Sequence, residues 1–267
     1  MSPSMGDLDE DSIQAELHTD ALGRSLQLLT EVASTNEVAK HSAMQGAPHG
    51  HTIVADAQSQ GRGSHGRVWS SPGGTDLYVS ILLRFGLKAV QLAPMTLAAG
   101  VAVAETVEAF VPLQAAIKWP NDVWLQGKKC AGLLAETSSQ KGTTNAVVLG
   151  IGINVNRTHF EPELATHATS MRLAHPASAT CNRSLVLAQL LNRTEHWLKL
   201  YNDHGLEPAL GTLRAKLALK DSWVRCGAAQ GRIIDVANDG ALILQDSRTV
   251  HTLYAGTLEA CPKPTCD

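Results

Sequence analysis

From Gln91 to Phe110 the chain is rich in alanine and other apolar residues, with Glu105 and Glu108 as its only charges. A helix that apolar all round is stable only when other elements cover it, so this segment predicts a long buried helix. Pro94 falls in the first turn, where its missing N–H has no intrahelical partner to lose. The rest of the chain supplies the cover. Ser25–Leu29, Thr52–Ala57, Leu77–Leu83, Ala115–Trp119 and Ala146–Val155 read as strands. Val123-Trp124-Leu125, Gln126-Gly127 and Lys129–Glu136 read as a hairpin with a glycine turn. Ser34 followed by Glu37 marks a helix start with a capping box. Arg183–Tyr201 and about Glu207–Leu217 carry helical periodicity. Hairpins mixed with helices define an α+β fold.

The texture changes at Asp221. Trp223–Cys226, Gly231–Val236, Ala241–Gln245 and Thr249–Tyr254 are four short strand candidates, two of them joined by the Asn238-Asp239-Gly240 turn. About 40 residues of this kind predict a small separate β-barrel. The expected division is therefore a polar segment at 1–24 with loose order over its first 20 residues, a catalytic domain at 25–218, and a small barrel with its tail at 219–267. Net charge is −3 and no Lys/Arg block occurs, which argues against nucleic-acid binding. No apolar run reaches the roughly 18 residues that span a bilayer. The acidic start, Met1–Asp11, lacks the features of a signal or transit peptide, so a cytoplasmic protein is expected. Cys130, Cys181, Cys226, Cys261 and Cys266 are odd in number, scattered and without C-x-x-C, so reduced bystanders are expected rather than a disulfide framework or zinc site.

Four segments carry chemistry. Gly61-Arg62-Gly63-Ser64-His65-Gly66-Arg67 combines glycines, which let backbone N–H groups approach an anion, with two guanidinium groups that bind phosphate or carboxylate. It is neither a P-loop nor a dinucleotide fingerprint, and a basic surface loop is an equal reading. In Lys118-Trp119-Pro120-Asn121-Asp122, proline ends a strand and presents Asn121 and Asp122 at its tip. An Asp there suits Mg²⁺ carried on nucleotide phosphates, and an Asx turn is the plainer alternative. Lys128 and Lys129 are adjacent on a strand, so only one can face a given side. Gly150-Ile151-Gly152-Ile153-Asn154 places alternating glycines on a strand, which suits close approach by something flat or by another backbone.

Ser34-Thr35-Asn36, Gln58, GRGSHGR at 61–67, KWPND at 118–122, GKKCAGLLAE at 127–136, GIGIN at 150–154 and Ala168-Thr169-Ser170 follow one another in an order that resembles the biotin protein ligase family. The likeness runs from about Leu26 to Glu259. It implies a mixed-sheet catalytic domain of the biotin/lipoate ligase type with an SH3-like C-terminal barrel. It also implies a two-step reaction. Biotin and ATP give biotinyl-5′-AMP and pyrophosphate, and a lysine of a biotin carboxyl-carrier domain then takes the biotin. By the same match Lys129 and Arg62 are the catalytic positions. The biotin contacts are Ser34, Thr35, Asn36, Gln58, Gly61, Arg62, Gly63, Ser64, Lys129, Gly132 and Gly152. The ATP contacts are Arg62, Arg67, Trp69, Lys118, Asn121 and Asn154, with Asp122 on Mg²⁺. Asn154 would line the same cavity as Gly152, and Trp69 would either stack on adenine or anchor the loop. Many relatives carry Arg at the position of Ser64, so the loop here would hold its intermediate with one cation fewer. Some relatives also carry an N-terminal winged-helix domain; about 25 residues precede the first strand here, so specific DNA binding is not expected. A homodimer is compatible with this reading. A lipoate or octanoate ligase or transferase is the nearest rival, and a non-catalytic biotin-responsive binding protein is a rival of another class.

Overall fold

The computed structural model describes residues 5–86, 88–140, 143–177 and 180–263; Cys266 lies outside them. Its elements are α1 (Glu10–Glu16), β1 (Leu26–Val32), α2 (Thr35–Met44), β2 (Thr52–Gln58), β3 (Leu77–Leu83), α3 (Leu92–Phe110), β4 (Ala115–Lys118), β5 (Asp122–Leu125), β6 (Lys128–Gln140), β7 (Thr143–Ile153), α4 (Pro162–Ala165), α5 (Met171–Ala174), α6 (Arg183–His204), α7 (Glu207–Ala215), β8 (Trp223–Cys226), β9 (Ala229–Val236), β10 (Leu242–Gln245), β11 (Val250–Leu253) and β12 (Glu259–Ala260).

Seven strands form one mixed sheet in the order β1-β2-β3-β7-β6-β5-β4. The β1–β2 pair is parallel and the remaining pairs are antiparallel. Strict alternation divides the two faces. Leu82 and Val148 pack under Ala39 and Ala43 of α2. Val79, Ile81, Leu149 and Ile151 turn the other way, into the main core with α3 and α6. By length and composition Ala89–Phe110 is apolar enough to cross a bilayer, which corrects the expectation that no run reaches that length; 72% of its apolar 18-residue stretch is buried inside the protein, as a core helix is.

The second sheet runs β11-β10-β9-β8-β12. Its strands include the four expected and a fifth, β12, which pairs with β8 through Glu259 and Ala260. Val224, Ile233, Val236 and Leu242 of this sheet share the apolar cluster that holds α3, and Trp119 Nε1 donates to Gly240 O across the junction at 2.9 Å.

Loose chain was expected over residues 1–20; residues 1–4 lie outside the described residues, and from Met5 onward the segment is ordered. Asp9 caps α1 by accepting the Ser12 N–H, and Ile13 is fully buried. Behind it the side chain of Arg183, with no solvent exposure, joins Asp7 and Asp56 at 2.6 Å each. The α2 capping box is absent. Ser34 occupies the N-cap without a side-chain cap bond, and the Glu37 carboxylate pairs with Lys40 and Arg62. Cys130, Cys181, Cys226 and Cys261 carry no disulfide.

Candidate active site

The α2 face of the sheet carries Gly150 and Gly152 on β7 and Gly132 on β6, with Gly132 directly opposite Gly152. Over them lies a cavity of ≈ 40 Å³, walled by Thr35, Asn36, Gln58, Trp69, Tyr78 and Lys129. A Cβ at Gly152 would lie 2.6 Å from the Trp69 ring and one at Gly132 2.9 Å from it. The flat object that these two glycines admit is thus the Trp69 indole. The third, Gly150, makes room for the Asn36 amide, whose Oδ1 would be 2.4 Å from an added Cβ.

A backbone irregularity brings the lysine to this cavity. On β5, Val123 stands opposite Ala131, but Trp124 stands opposite Lys129. Cys130 is the extra residue of a β-bulge. Without it Lys129 and Gly132, three apart, would face opposite sides. With it they share a face, and a Cβ at Gly132 would be 3.0 Å from Lys129 Cε. Cys130 turns into the core, and its thiol pKa is raised by burial. Lys128 points away and donates to Ala165 O at 2.8 Å. The Lys129 backbone is held on its other edge by His167 O and the Thr169 N–H, which gives Ala168-Thr169-Ser170 a place in the site.

The polar wall is continuous. Gln58 Oε1 accepts from the Thr35 N–H at 2.9 Å and from its hydroxyl at 3.1 Å. The Ser80 hydroxyl lies 2.7 Å from Thr35 Oγ1 and 2.6 Å from Asn36 Oδ1. Asn36 Nδ2 donates to Glu136 Oε2 at 2.6 Å, and Lys40 binds the other oxygen at 2.8 Å. Burial raises the Glu136 pKa, but the hydrogen bonds from Lys40 and Asn36 outweigh it and hold the carboxyl below its ordinary 4.5. A carboxylate depressed in this way stabilises the fold above the unfolded-state pKa, and that stability is lost as pH falls through the folded value. Thermal melts should therefore soften below about pH 4.5, and Glu136→Gln should flatten that part of the curve; an unchanged slope would remove Glu136 from the account.

The glycine–arginine loop closes on itself as a small hairpin. Trp69 N–H donates to Gly61 O, Gly63 N–H donates to Arg67 O at 2.7 Å, and Arg62 bridges Val68. At its tip His65 and Gly66 take positive φ, the left-handed region that glycine enters freely. A Cβ at Gly61 would strike the Trp69 carbonyl at 2.4 Å. The glycines here serve closure of the loop, where the sequence suggested open N–H groups facing an anion. Arg62 stands at the cavity mouth and pairs with Glu37 at 2.8 Å. Arg67 turns outward and donates to Ser64 Oγ at 3.1 Å.

Three cations gather beyond the cavity. Lys129 Nζ sits 2.7 Å from Asp122 Oδ1 and 5.1 Å from the centre of the Trp69 ring. Lys118 lies over Trp124 at 4.8 Å. Burial first, and the neighbouring Lys129 and Arg67 charges after it, lower the Lys118 pKa against the pull of Asp122. Asn121 has its amide on Leu133 O at 2.7 Å and reaches the cavity edge.

Of the expected positions, Ser34, Thr35, Asn36, Gln58, Arg62, Gly63, Ser64, Trp69, Asn121, Lys129, Gly132 and Gly152 meet at the cavity. Gly61, Arg67, Lys118 and Asp122 flank it. Asn154 does not line it: the side chain is buried and its amide donates to Thr169 O at 2.9 Å, so it fixes the segment that grips Lys129. Sequence reasoning missed Tyr78, Ser80, Glu136 and Lys40. A lone serine in the otherwise apolar strand 77–83 was the available signal for Ser80.

The model of the biotin/lipoate A/B protein ligase family matches residues 29–154, the stretch that supplies most of this cavity. The chain is 32% identical to the bifunctional ligase/repressor BirA of Bacillus spizizenii over 95% of its own length and 79% of the relative's. It is 35% identical to the biotin–[acetyl-CoA-carboxylase] ligase of Mycobacterium tuberculosis over 71% and 72%. The biotin protein ligase of Aquifex aeolicus, solved in complex with biotin and ATP, superposes with a TM-score of 0.80 at 28% identity, covering 89% of this chain and all of that one. The chain belongs to the biotin protein ligase family, and it is a ligase.

Proposed function

We propose that the chain joins biotin to the α-phosphate of ATP, releasing pyrophosphate, and then passes the biotin to a lysine of a carrier domain of a biotin-dependent carboxylase. One observation carries the reading: the bulge at Cys130 sets the Lys129 ammonium over the same cavity that Thr35 and Gln58 line with hydroxyl and amide groups. The ureido group of biotin needs donors and acceptors, and its carboxylate and the α-phosphate need a cation between them. Lys118 and Arg67, near Lys129, suit the remaining phosphate charge. At ≈ 40 Å³ the cavity is smaller than the ~300 Å³ of a typical ligand pocket, so the reading requires the 61–69 hairpin and Trp69 to lift and re-close over the ligand. The likeness to the biotin–[acetyl-CoA-carboxylase] ligase of Mycobacterium tuberculosis and to the biotin protein ligase of Aquifex aeolicus favours biotin over lipoate. A ligase that does not read DNA sequence is part of the reading, supported by the net charge of −3. The test is incubation with biotin, ATP, Mg²⁺ and a carrier domain, with lipoate as competitor. A carrier mass increased by one biotin supports the proposal; pyrophosphate release that responds to lipoate and not biotin overturns it.

Among the described residues no group of three or more His, Cys, Asp and Glu could cage a metal. Asp122, a single carboxylate at a strand end, fits an Mg²⁺ that arrives on nucleotide phosphates and keeps most of its waters. Asp122→Asn should raise the Mg²⁺ concentration at half-maximal adenylation by roughly tenfold with the fold intact; an unchanged titration would leave Asp122 as the partner of Lys129 alone. The glycine floor gives a second expectation. Gly152→Ala should displace the indole and raise the biotin Kd by roughly tenfold or more, the magnitude of a poorly accommodated methyl in a packed site. Calorimetry showing wild-type affinity would mean that the indole is not held against this glycine in the bound state.

A further inference from the structure

The polar wall of the cavity has more oxygen contacts than protons to serve them. Four groups stand in a row: Asn36 Oδ1 lies 2.6 Å from the Ser80 hydroxyl, Ser80 2.7 Å from the Thr35 hydroxyl, and Thr35 3.1 Å from Gln58 Oε1. The amide oxygens at the two ends can only accept, and each hydroxyl between them carries one proton. Two protons therefore face three contacts. However the hydroxyls turn, one contact sets lone pair against lone pair. Ser80 is fully enclosed, and Thr35 and Asn36 are buried. The missing donor has to come from whatever fills the cavity.

Neither end of the row is free to turn over. Gln58 Oε1 also accepts the Thr35 N–H at 2.9 Å, while Gln58 Nε2 donates to Ser71 Oγ at 3.0 Å. Asn36 is set by Glu136. Its Nδ2 donates to Glu136 Oε2 at 2.6 Å, which leaves Oδ1 toward Ser80. An ionised carboxylate can only accept, and the bonds from Lys40 and Asn36 keep Glu136 ionised against the cost of its burial. Glu136 itself does not line the cavity.

We propose that Glu136 is a specificity-determining positioning residue: acting through Asn36 and Ser80, it keeps the wall one proton short, so that the wall selects a ligand whose ring brings an N–H donor. The inference rests on the ligase reading and deepens it. When a ligand N–H takes Gln58 Oε1, the Thr35 proton turns to Ser80 and every contact closes. A ureido ring brings that donor. A dithiolane ring brings none and leaves the mismatch in an enclosed site, where an unpaired polar atom is costly. Glutamine at 136 reverses the logic. Lys40 would hold the oxygen of the new amide, its NH2 would face Asn36, and Asn36 would turn over to donate to Ser80. Three protons would then serve three contacts with the cavity empty.

The experiment compares three ligands on four proteins. Dissociation constants for biotin, desthiobiotin and lipoate are measured for wild type, Glu136→Gln, Ser80→Ala and the double variant. Desthiobiotin keeps the ureido N–H groups, and lipoate has none. Ser80→Ala ends the shortage by another route, since the Thr35 proton then serves the one contact that remains. Each single variant is expected to raise the Kd of biotin and of desthiobiotin alike, by roughly tenfold, and to leave that of lipoate within about twofold. The double variant should bind biotin no more weakly than Ser80→Ala alone, because Glu136 acts through that hydroxyl. Equal losses for all three ligands, or additive losses in the double variant, would make Glu136 a structural support and overturn the proposal. An unchanged biotin Kd in Glu136→Gln would do the same. If Glu136→Gln does not fold, Ser80→Ala decides alone: it must weaken both ureido ligands and spare lipoate. Wild-type protein that binds no biotin would instead sink the ligase reading, whereas the present inference fails with the wild-type preference for biotin intact.

Discussion

Lys129→Ala should lower single-turnover formation of biotinyl-AMP by on the order of 10²–10³-fold, the loss found when one preorganised charge is taken from a transition state. The expectation follows from where the bulge at Cys130 places this ammonium. Joining a carboxylate to a phosphate brings two anions together, and the developing charge on the phosphoryl oxygens must be matched in a site with little water. Lys129 is positioned before any ligand arrives: its backbone is bonded on one edge to His167 and Thr169, and its Nζ is held at 2.7 Å by Asp122. A pre-placed charge needs no reorganisation when the reaction occurs, so its removal falls on kcat rather than only on binding. Lys128→Ala is the control. One residue away in sequence, its ammonium is on Ala165 O outside the cavity, and its loss should leave adenylation within about threefold of wild type. Equal effects of the two substitutions, or less than a tenfold effect at Lys129, would show that the bulge does not set the catalytic charge.

The contrast between those lysines shows what the sequence could and could not tell. Adjacency said that one of them faces away, since neighbours on a strand alternate. It could not say which, because the register break at Cys130 carries no signature: cysteine there reads as one more apolar residue of the strand. The glycines were legible as a close approach, and the packing on Gly132 and Gly152 required Trp69, which lies in a loop about 60 residues before Gly132 in the chain. Helix α3 was plain because it is apolar on every side. Helix α1 was invisible for the opposite reason: in EDSIQAE only Ile13 is buried, and a single large apolar residue in seven has no periodicity to read. The α2 capping box is not formed: Glu37 pairs with Lys40 and Arg62, which are stronger, charged partners than a backbone N–H. Strand β12 is two residues long, too short to alternate.

The largest stability loss should come from Arg183→Met, at about 3–5 kcal/mol, the cost of breaking a buried ion pair from one side. Arg183 starts α6, yet its side chain is wholly enclosed and works on three other parts of the chain, the third being Asp76 O, which accepts from Nη1 at 3.2 Å. Its Nε and its backbone N–H hold the two oxygens of Asp7, at 2.6 and 2.7 Å. Nη1 reaches Asp56 at the end of β2, at 2.6 Å, and Nη2 donates to Met5 O at 2.9 Å. One guanidinium thus ties the N-terminal segment to the strand that ends in Gln58, using the fork geometry that a lysine lacks. Methionine would fill much of the volume but would leave Asp56 short of its cation and Met5 O without its donor. The melting temperature should fall by roughly 6–20 °C, at about 2–4 °C per kcal/mol for a domain of this size. Because Arg183 touches none of the cavity residues, the biotin Kd of the protein that remains folded at low temperature should stay at the wild-type value. Asp7→Asn should cost far less: Asp7 is a third exposed, and its amide can still accept a hydrogen bond. If Arg183→Met melts within 2 °C of wild type, or Asp7→Asn costs as much, the enclosed guanidinium is not the tie between the N-terminus and the sheet.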